Sequence, residues 1–81
     1  MPDYEELVSF IARNIVSDPD GVSVTSQESG GGVVRVMIRV SPDDMGRIIG
    51  RHGVTINAIR SVVRAAAVKS GEKVEVDILE D

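Results

Sequence analysis

At 81 residues, with 42% of them hydrophobic, the chain has room for one thin core and little for an enclosed active site, because a domain this small buries only about 60% of its unfolded surface. Cysteine is absent, which excludes disulfides, thiolate catalysis and cysteine-based zinc sites and fits a reducing compartment. The net charge of −4 argues against a polyanionic partner only until its distribution is read: Arg47, Arg51, Arg60, Arg64 and Lys69 lie between Gly46 and Ser70 with no acid among them, leaving four basic and all 13 acidic residues elsewhere.

No apolar run approaches the roughly 20 residues that cross a bilayer, and Met1-Pro2-Asp3-Tyr4-Glu5-Glu6 lacks the basic and apolar regions of a signal peptide, so a cytoplasmic protein with no membrane partner is expected. Residues 2–16 are expected to form an amphipathic helix, with Tyr4, Leu7, Val8, Ile11 and Ile15 at helical spacing and Asp3, Glu5 and Glu6 at its N-terminal end. Tyr4 and Phe10 are assigned to its core face or the edge of that face. Asp18-Pro19-Asp20-Gly21 stops it. Val22 and Val24 alternate with Ser23 and Thr25 as in a half-buried strand, and Gly30-Gly31-Gly32 supplies the freedom for a hairpin turn. In residues 33–40, Val34, Val36, Ile38 and Val40 face one way while Arg35, Met37 and Arg39 face the other.

Ser41-Pro42-Asp43-Asp44 is expected to open a second helix, with Ser41 as N-cap, Pro42 at the first helical position and two carboxylates in the first turn; it ends at Gly50. A third helix over residues 54–68 presents Ile56, Ile59, Val63 and Ala66 or Ala67 to the core, with Asn57, Arg60 and Arg64 on another face. Residues 73–79 form the last strand, Val74, Val76 and Ile78 alternating with Lys73, Glu75 and Asp77. The order is helix, strand, strand, helix, helix, strand. It predicts one α+β domain over residues 1–81, a two-layer sandwich in which three helices cover one face of a three-stranded mixed sheet. The strands flanking the helical crossover should be parallel neighbours, setting Arg35 and Arg39 beside Glu75 and Asp77 as surface ion pairs.

The segment with the most chemistry is Gly46-Arg47-Ile48-Ile49-Gly50-Arg51-His52-Gly53-Val54-Thr55-Ile56. Two glycines in a helix-to-helix turn let a sugar-phosphate backbone approach closely, and the free amides at the start of the following helix favour an anion. Arg51 adds a mobile positive charge, and His52 a hydrogen-bond donor. Alone, such a turn is also an ordinary helix break. A helix-turn-helix reading is disfavoured by the flanking strands, and aromatic recognition sheets are excluded because Tyr4 and Phe10 are the only aromatics. One histidine has no second His or Cys to share a metal, the turn lacks the Lys-Ser/Thr pair of a P-loop, and Asp43 and Asp44 have a sufficient role at a helix start; no enzyme, cofactor or metal is expected.

With a β-strand before it and helix and strand after it, this run resembles the signature of the KH nucleic-acid-binding domain, and the additional N-terminal helix and strand resemble its type II arrangement. Val40-Ser41-Pro42-Asp43-Asp44-Met45 and Ala58-Ile59-Arg60-Ser61-Val62-Val63-Arg64-Ala65-Ala66-Ala67 extend the similarity to the small stand-alone bacterial KhpA-type proteins. The resemblance implies a single-stranded RNA-binding protein, acting as a post-transcriptional regulator or RNA chaperone linked to cell elongation and division. Gly50, Arg51, His52 and Gly53 become the backbone clamp, and Gly46 sits on the groove wall, where a side chain would obstruct the strand. Ile49, Val54 and Ile56 are candidates for an aliphatic floor or are ordinary core, Ile48 more simply core; Arg47 and Arg60 would reach flanking phosphates, with Asn57 beside them. Arg51-His52 stands where a lysine is common, and the short connection Lys69-Ser70-Gly71-Glu72 puts sequence selectivity in doubt. The resemblance also implies a homodimer, and a heterodimer with a larger KH-containing protein of the KhpB type. The alternative to RNA binding as the main role is a dimerising protein-interaction module, using Val62, Ala65 and Val68 on the third helix if they are not buried.

Overall fold

The computed structural model describes residues 3–79; Pro2, with which the first helix was expected to begin, lies outside them. Helix α1 spans Tyr4–Arg13 and is capped by Asp3, whose carboxylate accepts the Glu6 amide at 3.0 Å. It stops three residues short of the expected Val16, where Asn14 caps it. Residues 18–21 do not end the helix but form a separate short turn further on. Strands β1 (Ser23–Ser29) and β2 (Val33–Arg39) form the antiparallel hairpin, and β3 (Lys73–Ile78) joins β2 in parallel, giving the order β1-β2-β3. The first strand is longer than its two valines suggested, because polar residues 25–29 pair on the sheet's edge without burial.

Helices α2 (Met45–Ile49) and α3 (Val54–Ala67) fill the crossover, and all three helices cover one face of the sheet. The result is the predicted two-layer α+β architecture of a type II KH domain. Val34, Val36, Ile38 and Val40 are buried against Val8, Ala12, Ile48, Ile56, Ile59, Val63 and Ala67. Tyr4 is buried as expected, and its hydroxyl, 3.0 Å from both Ser70 Oγ and Glu72 Oε1, ties the start of α1 to the connection before β3. Phe10 is not on the core face. The buried stripe runs through Tyr4, Val8 and Ala12, and Phe10, two residues from Val8, stands roughly 200° around the helix from it and is 68% exposed.

Two local expectations are also corrected. Ser41 does not cap the second helix with its side chain; its hydroxyl donates to Asp18 at 2.7 Å, and residues 42–44 form a tight turn before α2 proper begins at Met45. Asp44 is not a solvated first-turn carboxylate. It is fully buried, accepting the Ser17 amide at 2.9 Å, the Ser17 hydroxyl at 2.7 Å and the Asp18 amide at 3.1 Å. These hydrogen bonds, the Ser17 amide foremost, hold its pKa below the usual carboxylate value against the opposing effect of desolvation. Arg35 lies 3.3 Å from Glu75 and 3.9 Å from Asp77, the surface pairing expected from the strand register.

Candidate nucleic-acid interface

The turn between α2 and α3 is built on three successive departures from ordinary backbone. Gly50 ends α2 at φ 76°, ψ 169°, a region open essentially to glycine; His52 is left-handed at φ 57°, ψ 26°; Gly53 is left-handed at φ 77°, ψ 13° and is followed by the first residue of α3. The Gly50 amide donates back to Gly46 at 2.9 Å and the Gly53 amide to Gly50 at 3.2 Å, so the loop is pinned at both ends while its middle projects. Arg51 and His52 are both exposed there. A left-handed histidine costs about 1–2 kcal/mol relative to an ordinary conformation, a strain of the kind that collects at ligand clamps. The Val54 amide donates to the Arg51 carbonyl, and the amides that follow it in the first turn of the 14-residue α3 have no intrahelical acceptor, so an anion beside this turn meets those donors and the positive end of the helix dipole.

Around the turn, the residues singled out from the sequence separate by environment. A Cβ on Gly46 would have open space around it, with no atom of the chain within 4 Å. Arg47 is exposed and lies 3.4 Å from Asp44 Oδ1. Ile48 is wholly buried, Ile49 half-buried, Ile56 buried in the core and Val54 63% exposed. Of the three aliphatic floor candidates, Val54 and Ile49 therefore offer surface to a ligand, whereas Ile56 contributes mainly to the core beneath them. Val62, Ala65 and Val68 are exposed rather than buried, and Ile11, Ile15, Thr55, Ala58, Ile59 and Val62 line a shallow apolar groove of about 210 Å³ between α1 and α3.

A trough of about 610 Å³ runs away from the clamp between α3 and β3. Its helical wall carries Arg60, Arg64, Ala67 and Val68; its other wall is β3 from Lys73 to Asp77, with Glu72 before it. Arg60 is tied down within it: Nε donates to the Val76 carbonyl at 2.9 Å, Nη1 to Asn57 Oδ1 at 3.1 Å, and Nη2 lies 3.7 Å from Asp77 Oδ1. From the sequence Arg64 was placed only on a face of the third helix away from the core, and Lys73, Val74, Glu75 and Val76 only in a strand. The signal that could have found them was the strand order, since a last strand pairing parallel to β2 must leave its other edge free beside α3. Lys73 sends its amide to Gly32, just before β2, and Leu79 to Ile38 within it, so by the period-two alternation Val74, Val76 and Ile78 turn theirs toward the free edge.

Residues 5–78 match the family model described as KhpA/KhpB, KH domain. The RNA-binding protein KhpA of Clostridium perfringens is 43% identical over 75 residues, covering 93% of this chain and 99% of that protein. RNA-binding protein KhpA of Streptomyces coelicolor is 41% identical over 76 residues, covering 94% of this chain and 91% of its own length. Among solved structures, Era in complex with MgGDPNP and nucleotides 1506-1542 of 16S ribosomal RNA superposes with a TM-score of 0.66 at 19% identity over 96% of this chain, a likeness of fold that spans 31% of that longer chain.

Proposed function

The chain belongs to the KhpA/KhpB KH-domain family, and from that membership we propose that it binds single-stranded RNA and acts as no enzyme. The observation that carries the reading is the backbone of Gly50–Gly53, which opens onto the first amides of α3 with Arg51 and His52 projecting beside them. A phosphate seated there receives hydrogen bonds from the α3 terminus and charge from Arg51. Gly46, bare of any side chain, leaves room for the ribose, and Ile49 and Val54 supply apolar contact to the bases. Arg47 stands at the flank, and Asn57 and Arg60 stand where the clamp meets the trough along β3.

Binding of this kind is weak and salt-sensitive. The trough carries Arg60, Arg64 and Lys73 against Glu72, Glu75 and Asp77, so its charges balance and the clamp supplies most of the attraction. With two or three phosphates contacted, log affinity falls with log salt at a slope of about −1.4 to −2 for a single strand. Measuring that slope for a single-stranded oligonucleotide and for the same sequence in duplex form tests the reading: duplex RNA, its bases paired, competes poorly. A salt-independent affinity, or equal affinity for duplex, overturns it.

The same reading extends to post-transcriptional regulation or RNA chaperoning in cell elongation and division. It includes a homodimer and a heterodimer with a larger KhpB-type partner, for which the apolar groove between α1 and α3 is the supporting surface. Two linked clamps on one RNA raise affinity through effective concentration without a new contact. Light scattering across a range of protein concentration checks the self-association.

A further inference from the structure

Resting on the RNA-binding reading, we infer that Arg60 is a plug in the free edge of β3: it withholds the Val76 carbonyl from nucleobases entering the trough, and so makes binding tolerant of base sequence. The free edge of a strand is a row of unpaired donors and acceptors, able to pair with whatever lies alongside. At Val76 the acceptor is already taken, at 2.9 Å, by Nε of Arg60. The guanidinium is held there from two further sides. Asn57 accepts from Nη1 at 3.1 Å, one helical turn nearer the clamp, and Asp77 lies 3.7 Å from Nη2. The register places Asp77 beside Met37, opposite in face to the buried Val76, so Arg60 starts on the helical side and reaches around the strand edge. Only a third of its side chain is exposed.

The chemistry of exchange follows from the donors. Cytosine and adenine carry an exocyclic amine that could donate to a strand carbonyl, whereas uracil carries a carbonyl at the corresponding position. To use Val76, the amine must displace a guanidinium, and a neutral hydrogen bond then replaces a charge-assisted one of roughly twice the strength. At Val76 the amine therefore gains nothing over uracil while Arg60 is in place. Arg60 acts on specificity by exclusion.

The test compares eight-nucleotide oligo(C) and oligo(U), two pyrimidine strands with the same phosphates, on wild type and Arg60→Met, which keeps an apolar stem and removes every donor. Because both strands carry the same charge, the affinity ratio cancels the loss of a cation. Wild type should bind the two within about threefold, and Arg60→Met should raise the ratio in favour of oligo(C) roughly three- to tenfold, the equivalent of one neutral hydrogen bond. An unchanged ratio with binding retained overturns the plug and leaves the clamp standing; failure of wild type to bind either strand at low salt overturns both. A second measurement needs no variant: the Arg60 Nε–H resonance should exchange slowly with solvent in the free protein and stay slow with oligo(C) bound. Rapid exchange in either state overturns the inference, even if Arg60→Met fails to fold.

Discussion

The Thr55 amide nitrogen occupies the space that a side chain on Gly50 would need: an ideal Cβ at Gly50 falls 2.7 Å from it, 2.8 Å from Thr55 Cβ and against the Thr55 hydroxyl. The neighbour at 2.7 Å is backbone at the start of α3 and cannot swing aside, and Gly50 itself sits at φ 76°, ψ 169°. Gly50→Ala should therefore cost about 1–3 kcal/mol in backbone strain, with overpacking added to it. For a domain of this length a loss of that size lowers Tm by roughly 10 °C or more, which thermal unfolding followed by circular dichroism will show. A variant as stable as wild type would mean that the turn relaxes without penalty.

Gly46 is the opposite case. It lies within α2, and a Cβ there meets no atom within 4 Å. Gly46→Ala should stabilise the fold by about 0.5–1 kcal/mol, because alanine loses less chain entropy in a helix than glycine does. Gly46→Leu should fold as well as wild type and bind single-stranded RNA at least about tenfold more weakly, its side chain standing in the ligand's path. Unfolding and binding measured together separate the two glycines: Gly50 is held by the fold, Gly46 by the ligand.

Asp44 gives the protein a defined acid limb. Its hydrogen bonds to Ser17 and Asp18, with Arg47 3.4 Å away, depress its pKa in the folded state relative to the unfolded chain. The stabilisation is then fully present above the unfolded aspartate value of about 3.9 and is lost as pH falls below it toward the lower folded value. Asp44→Asn should be less stable than wild type at pH 7, and the difference between the two should shrink as pH falls through that window. Parallel stability curves from pH 7 to pH 2 would show that the buried carboxylate is not the group responsible.

Much of this was legible in the chain because local and tertiary preferences agree. The alternation of Val34, Val36, Ile38 and Val40 set the face of β2, and the glycines at 50 and 53 marked the turn that their positive φ angles confirm. The misreadings came where a polar side chain had a partner remote in sequence. Ser41 and Asp44 look like a local helix start, yet Asp18 takes the hydroxyl of one and Ser17 and Asp18 engage the carboxylate of the other, contacts 23 to 27 residues apart that periodicity cannot register. Arg60 was assigned to a flanking phosphate, and for the same reason nothing in the sequence showed that its guanidinium is already engaged. Its fixing partners, Val76 and Asp77, belong to the strand that follows.

The clamp itself is tested by changing Arg51 and His52 together to Asp. Both side chains are exposed, so the change removes no core contact, and aspartate near the start of α3 interacts favourably with its dipole by about 0.3–1 kcal/mol. Aspartate also tolerates the left-handed backbone that His52 adopts, so the turn itself should persist. Stability should stay within about 0.5 kcal/mol of wild type, the usual range for a surface substitution. Toward RNA the effect reverses. A guanidinium and an imidazole are replaced by two carboxylates facing a phosphate, and affinity for a single strand should fall by roughly a hundredfold or more at low salt, a difference of about 2.7 kcal/mol or above. The residual binding should also lose part of its salt dependence, because fewer counterions are released. Undiminished affinity in a folded double variant would place the RNA site away from the Gly50–Gly53 turn.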